Sequence, residues 1–362
     1  SAMQNSGISS PENNIAWIRS WNTATLMLKN TALTAEEISQ VRDFSLARSF
    51  DLAWLPGIKQ HEANKFQLLQ EPVFFLAAQS LLGQSTSKGE KNNFINQYKY
   101  DIQAATDSRP YFNNYFRWSS LKELLSLPGQ SGISMIGVGY PTLLVTLAQA
   151  AVAAFVLILL PLAFIRTDKK KDGRRIDIII YFLAIGLAFL FIELAFIQKF
   201  TLILSQPLYA VAVSLCAFLI FSGVGSLYVQ RMIMTGSNTS IQLILQRSVI
   251  MIGLITLCYI VVLPLISSTI MSLPEMTRII SAFVITAPLA FVMGMPFPVG
   301  IAILQQNRPH LIPWAWGING CASVLSAVLA VLLAIDIGFN GVMLCAVVLY
   351  LIAWFSQAKD ST

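Results

Sequence analysis

The side chain best placed to do chemistry is Glu193, the single charge in the apolar run YFLAIGLAFLFIELAFIQ at residues 181–198. A carboxylate in such a run could bind a cation, carry a proton, or tie helices together through a neighbour such as Gln198 or Asn319. It cannot face lipid, because burying an ionisable group in hydrocarbon costs on the order of several kcal/mol, so it must face protein or a water-filled cavity. A second candidate group lies at residues 105–118, ATDSRPYFNNYFRW, where five aromatic residues are interleaved with Arg109 and Arg117. Rings and guanidinium groups sit well at headgroup depth, so this stretch reads as an interfacial belt or a docking surface. The alternative is that Asp107, Arg109 and Tyr111 line a substrate cleft. No catalytic residue is assignable from spacing.

Other chemistries find little footing. Cys216, Cys258, Cys321 and Cys345 all fall in apolar runs without CxxC spacing, which predicts buried, inert thiols. His61 and His310 have no acidic or thiol neighbours at ligand spacing, so no metal site is expected. The net charge of +6 divides as +1 before Gln130 and +5 after it. The basic excess therefore flanks apolar segments, and no nucleic-acid partner is expected.

Positioning Glu193 requires a membrane. Eighteen residues at about 1.5 Å each nearly cross a hydrocarbon core of roughly 30 Å. The chain is 55% hydrophobic and 12% charged, against about 25% charged in ordinary soluble domains. About seven apolar segments follow Tyr140, at residues 140–165, 176–197, 209–228, 248–266, 279–303, 314–335 and 341–354, the last one short. The fifth contains Pro288, Gly294, Pro296 and Pro298, which remove backbone donors and predict a kinked or broken helix of the kind that lines cavities in transporters. In the sixth, Ala322, Ser326 and Ala330 recur every four residues as a stripe for close helix packing. Gly223 and Gly225 are read in the same way. Trp316 and Asn319 stand at the sixth segment's entrance, and Asp336 follows its end as an interfacial group.

Before Tyr140 the pattern is that of a water-soluble α/β segment. IAWIRSWNTATLM at residues 15–27 predicts one or two strands turned at residues 20–22. Thr34 and Glu37 form a capping box that opens a helix running to about Arg48. FDLAWLPG at residues 50–57 reads as a short strand closed by a Pro-Gly turn, and Pro72 opens a second helix that stops at Gly83. Residues 84–93 read as a polar loop. Residues 1–14 are polar and lack an apolar core, so they predict no signal peptide. Beginning at Ser-Ala-Met, the chain reads as carrying an expression scar or as an excised piece of something longer.

Seven stretches, in order, carry a family resemblance: WNTATL at 21–26, FDLAWLPG at 50–57, TDSRPYF at 106–112, FIELAFIQKF at 191–200, FSGVGS at 221–226, GMPFPVG at 294–300 and WAWGING at 314–320. Together they resemble the bacterial membrane-integrated spermidine synthase-like proteins, in which a methyltransferase-like Rossmann domain is joined to membrane helices. The resemblance implies a mainly α, polytopic membrane protein preceded by a partial α/β segment. Residues 1–82 would be the end of the Rossmann-like domain, 83–139 a connector and interfacial segment, and 140–362 the transmembrane domain. It also implies a bacterial inner-membrane location. The implied partners are the lipid bilayer, the upstream part of the same protein, and a polyamine. S-adenosylmethionine or its decarboxylated form is implied as cofactor for the whole protein. The glycine-rich turn that cradles such a nucleotide is missing from residues 1–139, so this chain is expected neither to bind the nucleotide nor to catalyse transfer by itself. A transporter-like domain binding a cation or polyamine through Glu193 and the broken fifth helix is the competing reading.

The run RTDKKKDGRR at residues 166–175 holds six basic residues and is the densest positive cluster, which the positive-inside rule places in the cytoplasm. Threading onward puts Arg231, Arg247, Arg308 and Lys359 inside and Lys199 and Arg278 outside. It also puts residues 1–130 outside, unless residues 132–139 re-enter or the rule is overridden, since long soluble domains can cross largely regardless of charge. A cysteine replacing Gly173, in a variant without the four native thiols, is expected to resist an impermeant thiol reagent in intact cells. Labelling at that position would invert the whole topology.

Overall fold

The computed structural model describes Met3 and residues 6–83, 88–120, 139–163, 175–235 and 240–358. Two sequence readings, the basic cluster up to residue 174 and the segment at 132–138, lie outside the described residues. The chain forms two compact units: Ser1–Gln103 with Arg117–Glu123, and Ala104–Phe116 with Leu124–Thr362. The stretch read as a connector is thus shared between them.

The first unit is built on a small antiparallel sheet. Strands β1 (Ile15–Arg19) and β2 (Ala24–Leu28) form a hairpin, with Ile18 opposite Thr25, and β3 (Asp51–Trp54) pairs antiparallel with β1 on its other side. The hairpin turn is closed where the Ser20 amide donates to the Thr23 carbonyl at 2.8 Å. Helix α1 (Ala35–Ala47) opens with the expected capping box: the Glu37 amide donates to Thr34 Oγ1 and the Thr34 amide to Glu37 Oε2. Lys29 also donates to Glu37, at 2.7 Å, and holds its carboxyl below the usual range together with the Thr34 amide. The Pro-Gly turn follows β3, with Gly57 at a φ of 75° that suits glycine.

The centre of this unit is Asp51, 1% exposed. Its carboxylate accepts the amides of Lys65, Phe66 and Gln67 at 2.6–2.9 Å and the Arg19 guanidinium at 3.1 Å. A buried charge is tolerable only when its lone pairs are filled in this way. Helix α2 (Val73–Leu82) follows Pro72 and ends at Gly83. The predicted polar loop is corrected in part: residues 88–97 form helix α3 (Lys88–Gln97). The reason lies downstream, where Arg117 donates to the carbonyls of Ile95, at 2.8 Å, and Asn96, satisfying a helix end that the local sequence leaves open.

The second unit is helical. In order come α4 (Gly139–Ala154, continued by a π-turn and a short helix to Ala163), α5 (Arg175–Leu204), α6 (Pro207–Met234), α7 (Ile241–Met271), α8 (Glu275–Met293), α9 (Pro296–Asn307) and α10 (Ile312–Ala358). Among the described residues there are six candidate spans long and apolar enough to cross a membrane, not seven. The difference lies in α10. The expected sixth and seventh segments are its two halves, joined through Gly338, whose φ of 74° and ψ of 166° are not helical. The fifth span consists of α8 and α9, broken at Gly294 and Met295 where prolines 296 and 298 withhold amides.

Helix α5 is the axis of the bundle, with Tyr181, Phe182, Ile192, Phe196 and Phe200 fully buried. It packs most extensively against α10, where Ala322, Ser326 and Ala330 are buried as the stripe predicts and Ser326 Oγ donates to the Leu187 carbonyl at 2.9 Å. Helices α6 and α8 approach even more closely. A Cβ at Gly225 would overlap the Phe291 carbonyl, and one at Gly294 would overlap the Ser222 carbonyl. Gly223, two residues from Gly225, meets nothing within 4 Å. The cysteines are corrected too: Cys216 and Cys258 are exposed on the bundle's outer surface, and only Cys321 is fully buried.

This asymmetry is measurable. Gly225→Ala forces two backbones apart and is expected to destabilise the protein by about 1–3 kcal/mol or more in thermal unfolding of detergent-purified protein. Gly223→Ala is expected to stay within about 0.5 kcal/mol of the native chain. Equal effects at the two positions would contradict the close crossing.

Candidate functional site

The α5 residues Ile185, Gly186, Phe189, Leu190 and Glu193 recur at three- and four-residue spacing and so share one helix face. That face borders a cavity of about 630 Å³. Helix α6 contributes Ser222, Gly223 and Ser226, the break between α8 and α9 contributes Met293, Gly294, Pro296 and Pro298, and α10 contributes Trp316, Asn319, Ser323 and Tyr350. Trp316 is 60% exposed, so it marks where the cavity opens.

Glu193 is 5% exposed and lines this cavity. Among the described residues it has no hydrogen-bond or ion-pair partner, unlike Asp51, whose carboxylate accepts from three main-chain amides and from Arg19. Of the two neighbours foreseen for it, Asn319 reaches the same cavity and Gln198 does not. The helix explains why: five residues at about 100° each turn Gln198 roughly 140° away from Glu193.

The broken helix brings main-chain dipole ends to the cavity. The Gly294 amide donates to the Ala290 carbonyl and the Met295 amide to the Val292 carbonyl, both at 3.1 Å, which closes the end of α8. Pro298 has no amide to offer the Gly294 carbonyl. The last turn of α8 thus brings the negative end of its dipole to the cavity, and the first turn of α9 brings a positive end to the same break. The break is held open by packing. Tyr181 Oη donates to the Pro296 carbonyl at 2.6 Å, and the Phe297 ring meets Phe182 and Trp316 edge to face at 5.6 and 4.7 Å.

The second group of foreseen residues divides. Thr106 and Arg109 close a tight turn through reciprocal amide–carbonyl bonds at 3.2 and 2.8 Å, with Asp107 at its tip. The turn is fastened to the break in α10. Arg109 donates from Nε and Nη2 to the Ile335 carbonyl at 3.1 and 2.9 Å, and the Phe339 amide donates to the Ser108 carbonyl at 2.8 Å. Tyr111 packs its ring on Phe339, and burial pushes its hydroxyl up to about 12. Arg109 and Tyr111 therefore sit at the helix break as fasteners. Asp107 instead lines a separate cavity of about 490 Å³ with Lys199, Ser267 and Asn340. Asp336, read as interfacial, accepts from the Tyr140 hydroxyl at 3.5 Å.

Sequence reasoning missed the serines on α6 and the pairing of Lys199 with Asn340 at 2.7 Å. The spacing of Ser222 with Ser226 and of Asn319 with Ser323, each four residues apart, carried a signal of polar faces inside apolar helices. Nothing in the sequence linked residue 199 to residue 340. Among the described residues, no group of three or more His, Cys, Asp or Glu side chains could hold a metal ion. Comparison of the chain with protein-family models, with curated proteins and with solved structures returned no match.

Proposed function

We propose that the helical unit binds a cation within the membrane at Glu193, and that the cation is an organic amine. The observation that carries this reading is a buried carboxylate, without a partner among the described residues, lining a cavity that a broken helix also lines. An unpaired charge at that depth is too costly to keep as a packing element, so its uncompensated state points to a guest that completes it. The volume of about 630 Å³ far exceeds what a bare monovalent ion needs. The rings of Phe189, Phe297 and Trp316 supply faces and edges on which an ammonium or its methylene chain can rest.

The resemblance to membrane-integrated spermidine synthase-like proteins supports the same class of guest. On that reading the chain is the C-terminal membrane portion of a bacterial inner-membrane transferase, and residues 1–82 are the end of its Rossmann-like domain. The upstream part of the same protein would be the partner and would hold S-adenosylmethionine or its decarboxylated form. Its seven motifs fall on the hairpin and β2, on β3 and its turn, on the turn that fastens α10, and on the helices and breaks around Glu193. In the first unit β1 ends in the Ser20–Thr23 hairpin, β2 in the glycine-free loop at residues 29–34 before α1, and β3 in the Gly57 turn.

Glu193→Gln keeps shape and hydrogen-bonding capacity while removing the charge. Putrescine or spermidine is expected to raise the melting temperature of the detergent-purified native chain in a concentration-dependent way, corresponding to about 2.7 kcal/mol at a hundredfold excess over Kd. The Gln variant is expected to lose that response and to remain folded. Equal shifts in both proteins, or none in either, would leave Glu193 a structural group. A response to sodium alone would overturn the preference for an amine.

A further inference from the structure

The cavity of about 490 Å³ between the turn at residues 106–108, α5, α7 and α10 shares no lining residue with the Glu193 site. It contains one basic and one acidic side chain, Lys199 and Asp107, which do not form an ion pair with each other. Two opposite charges that face one cavity without closing on each other leave room for a guest between them. A simple anion would gain Lys199 and be repelled by Asp107, and a simple amine would meet the reverse. Only a guest carrying both charges is complemented on both sides.

We infer that this cavity seats a zwitterionic headgroup, a phosphate next to a primary ammonium. Lys199 Nζ commits one donor to Asn340 Oδ1 at 2.7 Å, which leaves two for an anionic oxygen. With its oxygen engaged, the Asn340 amide has its nitrogen as a further donor for the same group. Asp107 accepts only, and it is exposed and has no partner among the described residues, so it suits an ammonium. Its position is set by the turn bonds between Thr106 and Arg109 and by the Phe339 amide on the Ser108 carbonyl. The remaining wall is apolar, with Leu202, Ile203, Leu263 and Met271. Lys199 lies five residues before Leu204, the end of its span, which is about 7.5 Å along the helix. That depth and those walls fit the glycerol and first methylenes of a lipid, while the charge pattern by itself also fits a free phosphate ester.

Native mass spectrometry of the detergent-purified chain tests the inference, with phosphatidylethanolamine, phosphatidylglycerol and soluble phosphoethanolamine as probes. Phosphatidylethanolamine is expected to bind about tenfold more tightly than phosphatidylglycerol, the size of one lost charge-assisted contact. Asp107→Asn, at an exposed turn tip, is expected to erase that preference without changing the melting temperature. Lys199→Met is expected to lower binding of both lipids. Displacement of the lipid by soluble phosphoethanolamine would support the headgroup chemistry and assign the site to a free ester, whereas its failure to displace would assign the site to the lipid. Equal binding of the two lipids by the native chain would overturn the proposal. So would a preference that survives Asp107→Asn, and that outcome is readable even if the Lys199 variant does not fold.

Discussion

In hydrocarbon, every main-chain amide and carbonyl must be satisfied by protein, because no water is there to do it. Unbroken helices meet that constraint internally, and α5 does so over thirty residues. Among the described residues of the helical unit, two spans are broken, at Gly294–Met295 and at Gly338, and side chains of neighbouring segments bond to the main chain at both. At the first break the Tyr181 hydroxyl donates to the Pro296 carbonyl and fixes the start of α9. At the second, Arg109 takes the Ile335 carbonyl with two donors and Ser108 supplies an acceptor for the Phe339 amide. A segment that reads as interfacial aromatic decoration is thus the cap of a broken helix.

The two cavities follow from the two breaks. Where a helix runs straight, its neighbours close on it, as α10 closes on α5 through the small side chains of Ala322, Ser326 and Ala330. Where a helix stops and restarts, side chains diverge and leave space. Glu193 faces the space at the first break, and Lys199 with Asp107 faces the space beside the second. The space beside Glu193 does not simply collapse, because α6 and α8 are already at backbone contact through Gly225 and Gly294 and can approach no further. Rigidity on one side of the bundle preserves the void on the other.

The first unit handles a buried charge in the opposite way. Asp51 is enclosed by main-chain amides and Arg19, so its function is to organise the loop at residues 64–69, with Asn64 completing the network through the Leu69 amide and carbonyl at 2.9 Å each. Of the three buried carboxylates among the described residues, Asp51, Asp177 and Glu193, the first and the last therefore have opposite meanings. The saturated one is structural, and the unsaturated one marks a place for something else.

Much of this was legible in the residues alone. The capping box at Thr34, the hairpin, the strand before the Pro-Gly turn, the apolar segments and the broken fifth span rest on local rules: side-chain caps, turn chemistry, hydrophobic length and the missing amide of proline. Each acts within a few residues, so each can be read without knowing the fold. Glu193 stood out for the same reason, as a charge where local composition forbids one. Contacts decided the rest. That Asn319 and not Gln198 shares the cavity depends on helix phase and on the packing of α10 against α5. That residues 88–97 are helical depends on Arg117, about twenty residues away. That Arg109 caps a carbonyl at 335 and Lys199 meets Asn340 depends on pairings across 226 and 141 residues. Such pairings leave no periodicity in the chain, because the groups that satisfy a broken helix are chosen by proximity in the folded bundle and not by spacing along it.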